Sequence, residues 1–153
     1  MLFAEHSARV PLIMAGPGVA QGQAANACLL VDLLPKIVKI GGGSLDMFGM
    51  PVDGRLLSPL AREEDGGCSE AIGEYCAEVT GHPVFMIRWG YMKYFHRDSD
   101  PVQLYDLTND PWELENLADH SAYRLIAEGF AKEVMQRWDS AGLRDKVIGT
   151  QKN

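Results

Sequence analysis

The cysteines and histidines are the side chains of this 153-residue chain best able to bind a metal or act as nucleophiles, and they are widely spaced. The three cysteines are Cys28, Cys68 and Cys76. None belongs to a Cys-x-x-Cys pair, so we interpret them as reduced intracellular thiols, with a Cys68–Cys76 disulfide as the alternative. His82, His96 and His120 lack the close spacing of metal ligands, which predicts surface or helix-capping roles.

The charge balance excludes several classes of partner. Lys and Arg number 14 and Asp and Glu number 21, which gives a net charge of −7. An acidic chain without a basic run is a poor binder of nucleic acid or anionic membranes, so neither is an expected partner. No apolar stretch approaches the ~20 residues that span a bilayer. The N-terminus has no basic start followed by a long apolar run, so we expect no signal peptide and a cytoplasmic location.

Residues 83–117 contain the clearest pattern of secondary structure. Residues 84–88 and 91–96 are rich in β-branched and aromatic side chains, and Gly90 between them supplies the positive φ of a tight hairpin. Residues 102–107 alternate apolar and polar side chains, which predicts a third strand. A helical turn is expected next, with Asp110 as N-cap, Pro111 as the first helical residue and Glu113 as the capping-box partner.

The remaining segments predict strands and helices around this hairpin. Residues 10–15 form a continuous apolar run, typical of a strand buried on both faces. Helical spacing over residues 30–40 predicts a helix with Asp32 as its cap, and the periodicity of residues 70–80 fits either a strand or a helix. Residues 119–140 predict a helix, capped by Asp119 or Ser121 and with a continuous apolar stripe. The stripe comprises Tyr123, Ala127, Phe130, Ala131, Val134, Met135 and Trp138.

Three motifs in this order resemble the C-terminal region of the sulfatase family, within the alkaline-phosphatase-like superfamily. The family pattern is Arg-x-Gly-x-x-Lys-Tyr, then Leu-Tyr-Asp-Leu, then Asp-Pro-x-Glu-x-x-Asn-Leu-Ala. The matching residues are Arg88, Gly90, Lys93, Tyr94, Leu104, Tyr105, Asp106, Leu107, Asp110, Pro111, Glu113, Asn116, Leu117 and Ala118. The Glu-Tyr-x-x-Glu and Met-Ile-Arg-x-Gly-x-x-Lys segments are closest to the choline-sulfatase-like branch.

The resemblance implies an α+β fold for this chain. A small antiparallel four-stranded sheet would be covered by the C-terminal helix, and the strand and helix before it would be remnants of the large α/β domain. Residues 1–66 would then be the end of the α/β domain and residues 67–153 the C-terminal subdomain. In the choline-sulfatase-like branch the tail can reach a neighbouring subunit, so a homo-oligomer is an expected assembly beside the missing N-terminal part.

The resemblance also implies a chemistry that this chain does not carry by itself. Sulfatases hydrolyse sulfate esters with a formylglycine nucleophile, made from Cys or Ser in Cys/Ser-x-Pro-x-Arg, and with a calcium ion. No cysteine here is followed by x-Pro-x-Arg, and no Asp-Asp pair occurs. We therefore expect no catalytic residue, no metal ligand and no cofactor in this chain, and no activity by the chain alone.

Four residues are candidates for substrate binding in a complete enzyme. His6 and Arg9 precede the expected first strand, and the alternative for Arg9 is an ion pair with a structural carboxylate. Glu74 and Tyr75 combine a carboxylate with an aromatic ring, which suits a choline-type cation; packing within a strand is the alternative.

Two hypotheses follow from these patterns. In the first, the chain is the C-terminal part of a sulfatase and the full protein carries the activity. In the second, it is a stand-alone non-catalytic binding or structural module derived from a sulfatase. The first predicts exposed apolar side chains in residues 10–13 and 33–40, where the missing sheet would pack.

Overall fold

The structure is a computed structural model that describes residues 3–17, 19, 21–23, 27–54, 70–76 and 82–151. Residues 12–71 form one compact unit, and residues 1–11 together with 72–153 form the other. The expected domain boundary at residues 66–67 lies outside the described residues, so that division stays a prediction.

The described residues form four helices and four strands, with short 3₁₀ turns between them. The helices are α1 (Glu5–Ala8), α2 (Leu33–Ile40), α3 (Arg124–Arg137) and α4 (Ser140–Gln151). The strands are β1 (Glu70–Tyr75), β2 (Val84–Trp89), β3 (Met92–His96) and β4 (Gln103–Asp106). The 3₁₀ turns span Leu30–Asp32, Leu45–Phe48 and Ser121–Tyr123. None of the helices in the described part of the chain has the length and hydropathy needed to cross a lipid bilayer.

The predicted sheet is confirmed, with strand order β1-β2-β3-β4. Strands β2 and β3 form an antiparallel hairpin in which Ile87 faces Tyr94 and Arg88 faces Lys93. Gly90 has φ +57° in the two-residue turn, as expected, because a left-handed backbone favours a residue without Cβ. Strand β4 pairs antiparallel with β3, placing Lys93 opposite Tyr105.

One face of the sheet forms the main hydrophobic core with α3. Phe85, Ile87, Tyr94 and Leu104 are fully buried on this face and pack against Ala127, Phe130 and Val134 of the helix. The Phe130 ring stacks on Tyr94 with a centroid separation of 5.4 Å and an interplanar angle of 6°. The core therefore consists of alternate strand residues and residues at i, i+3 and i+7 of the helix, as the sequence pattern predicts.

The other face of the sheet carries a smaller apolar cluster and two basic side chains. Met86, Phe95 and Tyr105 are buried there, and Phe3 from the N-terminal segment packs against them. Strand alternation places Arg88 and Lys93 on this same face. Because α3 occupies the opposite face, the N-terminal segment is what covers the basic pair.

The predicted helix over residues 119–140 is two helices. After α3, Trp138 has an extended backbone, and its ring stacks on Phe85 with a centroid separation of 4.8 Å. Asp139 then caps α4 by accepting a hydrogen bond from the Gly142 N–H. The stripe was wrong at Met135, which is 64% exposed, because the buried face of α3 follows Ala127, Phe130 and Val134 and Met135 lies beside that face. The His120 ring caps the 3₁₀ turn Ser121–Tyr123 that precedes α3, accepting from the Ala122 N–H, instead of the expected Asp119 or Ser121 cap.

The predicted first strand does not form. Residues 9–15 have no strand pairing in the described part of the chain, and Val10, Leu12 and Ile13 are exposed. The physical reason is that a strand needs partner strands for its backbone hydrogen bonds, and residues 10–15 have none here. The exposed apolar side chains expected at residues 10–13 are confirmed.

The helix predicted over residues 30–40 is confirmed as a 3₁₀ turn followed by α2. Pro35 lies in the first turn of α2, as expected, whereas the Asp32 carboxylate accepts a hydrogen bond from the Leu29 N–H and does not cap the helix. Gly54 lies against the Val31 carbonyl so closely that an added Cβ would come within 2.0 Å of the oxygen. A side chain at position 54 would displace the start of this helical segment.

The Asn116 side chain supplies hydrogen-bond partners for backbone groups on the outer edge of strand β4. Its Oδ1 accepts hydrogen bonds from the Leu104 N–H at 2.9 Å and the Ala118 N–H at 3.0 Å, and its Nδ2 donates to the Val102 carbonyl at 3.1 Å. The Leu117 N–H adds a bond to the Leu104 carbonyl at 2.8 Å. An edge strand otherwise presents unpaired backbone groups, so Asn116 substitutes for a fifth strand.

We expect Asn116→Ala to lower the free energy of unfolding by about 1–3 kcal/mol, because the Leu104 and Ala118 amides lose their acceptor. Urea unfolding measures this loss, and amide hydrogen exchange at Leu104 localises it. Glu115→Ala, one residue earlier and exposed, is the matched control and should change stability by less than about 0.5 kcal/mol. Equal losses in the two variants would contradict the edge-capping role.

Candidate functional site

A buried lysine lies at the centre of the sheet face opposite α3. Lys93 is 1% exposed, and its Nζ lies 5.3 Å from the centroid of the Phe95 ring. Arg88 lies beside it on β2 and donates from Nε to the Gly90 carbonyl at 2.9 Å, which ties the arginine to the hairpin turn. Two positive charges on a largely buried surface require acidic partners.

Two glutamates from distant parts of the chain supply these partners. The Lys93 Nζ lies 2.9 Å from Glu5 Oε1 and 3.0 Å from Glu113 Oε1. Arg88 Nη1 lies 3.5 Å from Glu5 Oε2. We call Glu5, Arg88, Lys93 and Glu113 the ionic cluster; it holds two positive and two negative charges and is neutral overall.

The Glu113 carboxylate also contacts the backbone of α1. Its Oε2 accepts a hydrogen bond from the Glu5 N–H at 2.6 Å, and this amide at the start of a helix has no partner within the helix. Glu113 has a positive φ of 56°, which is strained for a residue with a Cβ. The expected helical turn with Glu113 as capping-box partner was wrong, because the carboxylate is directed to Lys93 and Glu5. Asp110 instead accepts from the Leu114 and Glu115 amides.

His6 and Arg9 are exposed on and just after α1. Neither side chain forms a hydrogen bond or ion pair with another described residue, so the alternative ion pair for Arg9 is not seen within the described ranges. Glu5, between Ala4 and His6, is held by the ionic cluster. His6 and Arg9 therefore lie on and just after a turn that the ionic cluster anchors through Glu5.

Glu74 and Tyr75 lie at the end of β1, whereas His6 and Arg9 belong to α1 and the residue after it. The Glu74 carboxylate accepts a hydrogen bond from the Trp138 indole N–H. Burial and the charge of Glu74 raise the pKa of the neighbouring Cys76 thiol, which is free; Cys68 lies outside the described residues. Within the described part of the chain, no hydrogen bond or ion pair joins Glu74 or Tyr75 to His6 or Arg9. The role of the four candidates in one substrate site therefore stays a prediction.

A second polar group joins the end of β3 to the start of α4. The Asp98 carboxylate accepts a hydrogen bond from the Ser140 hydroxyl, and its Oδ1 lies 3.1 Å from His96 Nε2. The Ser140 hydrogen bond, assisted by His96, lowers the pKa of Asp98 although burial opposes the shift. A carboxyl whose pKa is depressed on folding stabilises the fold above its unfolded pKa of about 3.9 and loses that contribution as the pH falls through the folded value.

We expect Ser140→Ala to raise the pKa of Asp98 towards its ordinary value, because the main stabilising hydrogen bond to the carboxylate is removed. An NMR pH titration of the Asp98 carboxyl carbon measures this change. Asp100 is the internal control, because its lowered pKa depends first on Ser99 and then on Arg97. A shift of both carboxyls would point to a general structural change, and a shift of neither would contradict the role of Ser140.

The ionic cluster is the feature that sequence reasoning missed, although three of its residues belong to the motifs. Spacing along the chain gave no sign that Glu5 and Lys93, separated by 88 positions, are in contact. One signal was available: a lysine in the middle of an otherwise apolar strand, with an arginine opposite it in the hairpin register, requires buried acidic partners.

Comparisons with known proteins place the chain among sulfatases. It is 39% identical to the choline-sulfatase of Rhizobium meliloti over 120 residues, covering 78% of this chain and 23% of that protein. It is 34% identical to human arylsulfatase K over 137 residues, covering 77% of this chain and 24% of that protein. The chain thus spans about a quarter of the length of the curated relatives that it matches. No family model matches it.

Solved structures agree with the sequence comparisons. A crystal structure from Bacteroides thetaiotaomicron, assigned as a sulfatase, is 30% identical, with a TM-score of 0.59 over 80% of this chain and 28% of that one. A 2-O GAG sulfatase structure is 28% identical, with a TM-score of 0.51 over 69% of this chain and 24% of that one. The chain belongs to the sulfatase family and corresponds to the C-terminal part of its members.

Proposed function

We propose that this chain is the C-terminal part of a sulfuric ester hydrolase. The nucleophile and the metal ligands of that enzyme would lie in its N-terminal part, which corresponds to the region of the relatives outside the match. The observation that carries the proposal is the coverage: the similarity spans most of this chain but only about a quarter of each relative. The chain then supplies a scaffold to an active site located elsewhere.

The exposed side of α2 supports a packing partner in the rest of the enzyme. Ile37 is 63% exposed and Leu34 and Ile40 are also exposed, whereas Lys36 of the same helix is only 8% exposed. This distribution is the reverse of a surface helix, which buries its apolar stripe and exposes its lysines. The apolar stripe of α2 is therefore suited to pack on an apolar sheet contributed by the preceding part of a sulfatase.

The described residues of this chain do not provide a calcium site. No three His, Cys, Asp or Glu side chains converge as metal ligands among the residues that the structure describes. The two buried carboxylates of the ionic cluster, Glu5 and Glu113, are committed to Lys93. The calcium that the sulfatase resemblance implies, like the formylglycine, belongs in this proposal to the remainder of the enzyme.

Within the complete enzyme, we assign His6 and Arg9 to the binding of the substrate's sulfate group. Both side chains are exposed, and both lack an acidic partner among the described residues. An arginine matches the geometry of a sulfate oxygen pair, and a histidine ring N–H adds a second hydrogen-bond donor. The binding of a choline-type cation by Glu74 and Tyr75 stays a prediction, as do the cytoplasmic location and the homo-oligomer.

A fusion enzyme tests the proposed function. This chain replaces the matching region of the Rhizobium meliloti choline-sulfatase, and hydrolysis of choline sulfate and of an aryl sulfate is measured with calcium present. We expect turnover by the fusion, and none by this chain alone or by the choline-sulfatase without its matching region.

The outcomes separate the two hypotheses for the chain. Turnover by the isolated chain would contradict the assignment of the catalytic groups to the rest of the enzyme. An inactive fusion that is folded and binds calcium would favour the stand-alone module, whose support is the complete core between the sheet and α3. Ile37→Asp should abolish the activity of the fusion, whereas Lys39→Asp, at an exposed polar position of the same helix, should leave it intact.

A further inference from the structure

The ionic cluster lies directly beneath an exposed basic turn. We propose that Lys93 and Glu113 are positioning residues, which fix α1 so that His6 and Arg9 bind the sulfate group. This inference rests on the proposed function and deepens it, because it identifies buried groups on which substrate binding depends.

Helix α1 cannot hold its own shape. It has four residues, and an isolated single turn is unfavourable because several backbone dihedrals are fixed for one hydrogen bond. Its internal bonds include Ala8 N–H to the Ala4 carbonyl at 2.9 Å and Arg9 N–H to the Glu5 carbonyl at 2.9 Å. Contacts from elsewhere in the chain must therefore maintain the turn.

The ionic cluster holds this turn through both the carboxylate and the backbone amide of Glu5. Lys93 and Arg88 bind the Glu5 carboxylate from two adjacent strands, and Glu113 binds the Glu5 amide from the loop after β4. Ala4, the preceding residue, is itself buried. Groups that are buried and bonded from several sides have little freedom, which is what a precise binding element needs beneath it.

The charges also favour an anion at the turn. The ionic cluster is neutral, so it adds no net charge of its own; Arg9 supplies the exposed positive charge of the turn, and the His6 imidazole supplies a further hydrogen-bond donor. The whole chain carries a net charge of −7, yet neither basic side chain is paired with an acidic one within the described residues. Exposed basic groups on a fixed support, without acidic partners among the described residues, are available to an anionic ligand.

The test uses the fusion enzyme with inorganic sulfate as the probe. Sulfate inhibition isolates contacts to the anion, because the rest of the substrate is absent. We expect Arg9→Gln to raise the inhibition constant of sulfate about tenfold, and Glu113→Gln to raise it about three- to tenfold. Glu115→Gln, two residues later and exposed, is the matched control and should change the constant by less than about twofold. With choline sulfate, KM should rise with kcat nearly unchanged, since only binding is affected.

A double-mutant cycle separates positioning from general destabilisation. If Glu113 acts by positioning the turn that carries Arg9, the loss of sulfate binding in the double variant should be smaller than the sum of the two single losses, because the Arg9 contact can be lost only once. Arg88→Met is a second variant in case Glu113→Gln does not fold; it removes the 3.5 Å contact to Glu5 and the hydrogen bond to the Gly90 carbonyl but leaves Lys93 and Glu113 in place. It should raise the inhibition constant with the same dependence on Arg9.

Three results would overturn the proposal while leaving the proposed function intact. These are an unchanged inhibition constant in Glu113→Gln, additive effects in the double variant, and equal effects of Glu113→Gln and Glu115→Gln. An inactive unsubstituted fusion would refute the proposed function itself, and this inference with it.

Discussion

Lys93→Met is expected to lower the free energy of unfolding by about 3–5 kcal/mol, the usual cost of removing one partner from a buried ion pair. Lys93 is 1% exposed and is the group shared by Glu5 and Glu113. Without it, two carboxylates lie on a largely buried surface with only Arg88 nearby, at 3.5 Å from one of them. Equilibrium urea unfolding of the chain measures the loss.

An exposed ion pair on the same fold provides the control for this variant. Arg124 Nε lies 3.4 Å from Glu128 Oε1 at i, i+4 on α3, and both side chains are well exposed. Arg124→Met should cost no more than about 0.5 kcal/mol, because water solvates the remaining carboxylate. A loss of less than about 1 kcal/mol in Lys93→Met would show that the ionic cluster contributes little to stability.

Phe130→Ala is expected to cost about 3–5 kcal/mol, as for other large aromatic side chains removed from a core. Phe130 is 2% exposed and lies between Tyr94, at 5.4 Å between ring centroids, and Trp89, at 5.3 Å. Removing the ring would leave a cavity at the centre of the contact between α3 and the sheet. Urea unfolding and near-ultraviolet circular dichroism of the aromatic residues report the change.

Met135→Ala is the control on the same helix, because Met135 is 64% exposed although the sequence pattern placed it in the apolar stripe. It should change stability by less than about 0.5 kcal/mol. Similar losses in the two variants would mean that α3 packs with a different face towards the sheet. The pair of variants therefore tests the orientation of the helix as well as the size of the core.

Local patterns in the sequence predicted the elements whose stabilising contacts are close in the chain. Runs rich in β-branched and aromatic residues identified β2 and β3, Gly90 identified the turn between these two strands, and alternation identified β4, because a hairpin is defined by its own residues. The spacing of Ala127, Phe130 and Val134 identified the buried face of α3. The motifs identified the family, which the comparisons confirmed.

Local patterns failed where a distant contact determines the conformation. Asp110, Pro111 and Glu113 have the composition of a helix start, but the attraction between Glu113 and Lys93 places the glutamate in the left-handed region instead. Residues 10–15 have the composition of a buried strand, but they form none because no described strand pairs with them. Trp138 ends α3 early because its ring packs on Phe85 and its indole donates to Glu74.

The sequence by itself determined the family, the antiparallel sheet and the helical face that packs on it, because these depend on the periodicity of apolar residues and on ordered motifs. Only the tertiary structure decided that Glu5, Arg88, Lys93 and Glu113 meet in one buried cluster beneath His6 and Arg9. The physical reason is that a buried charge needs an opposite charge within about 4 Å, and the backbone path that brings them together is a property of the whole fold.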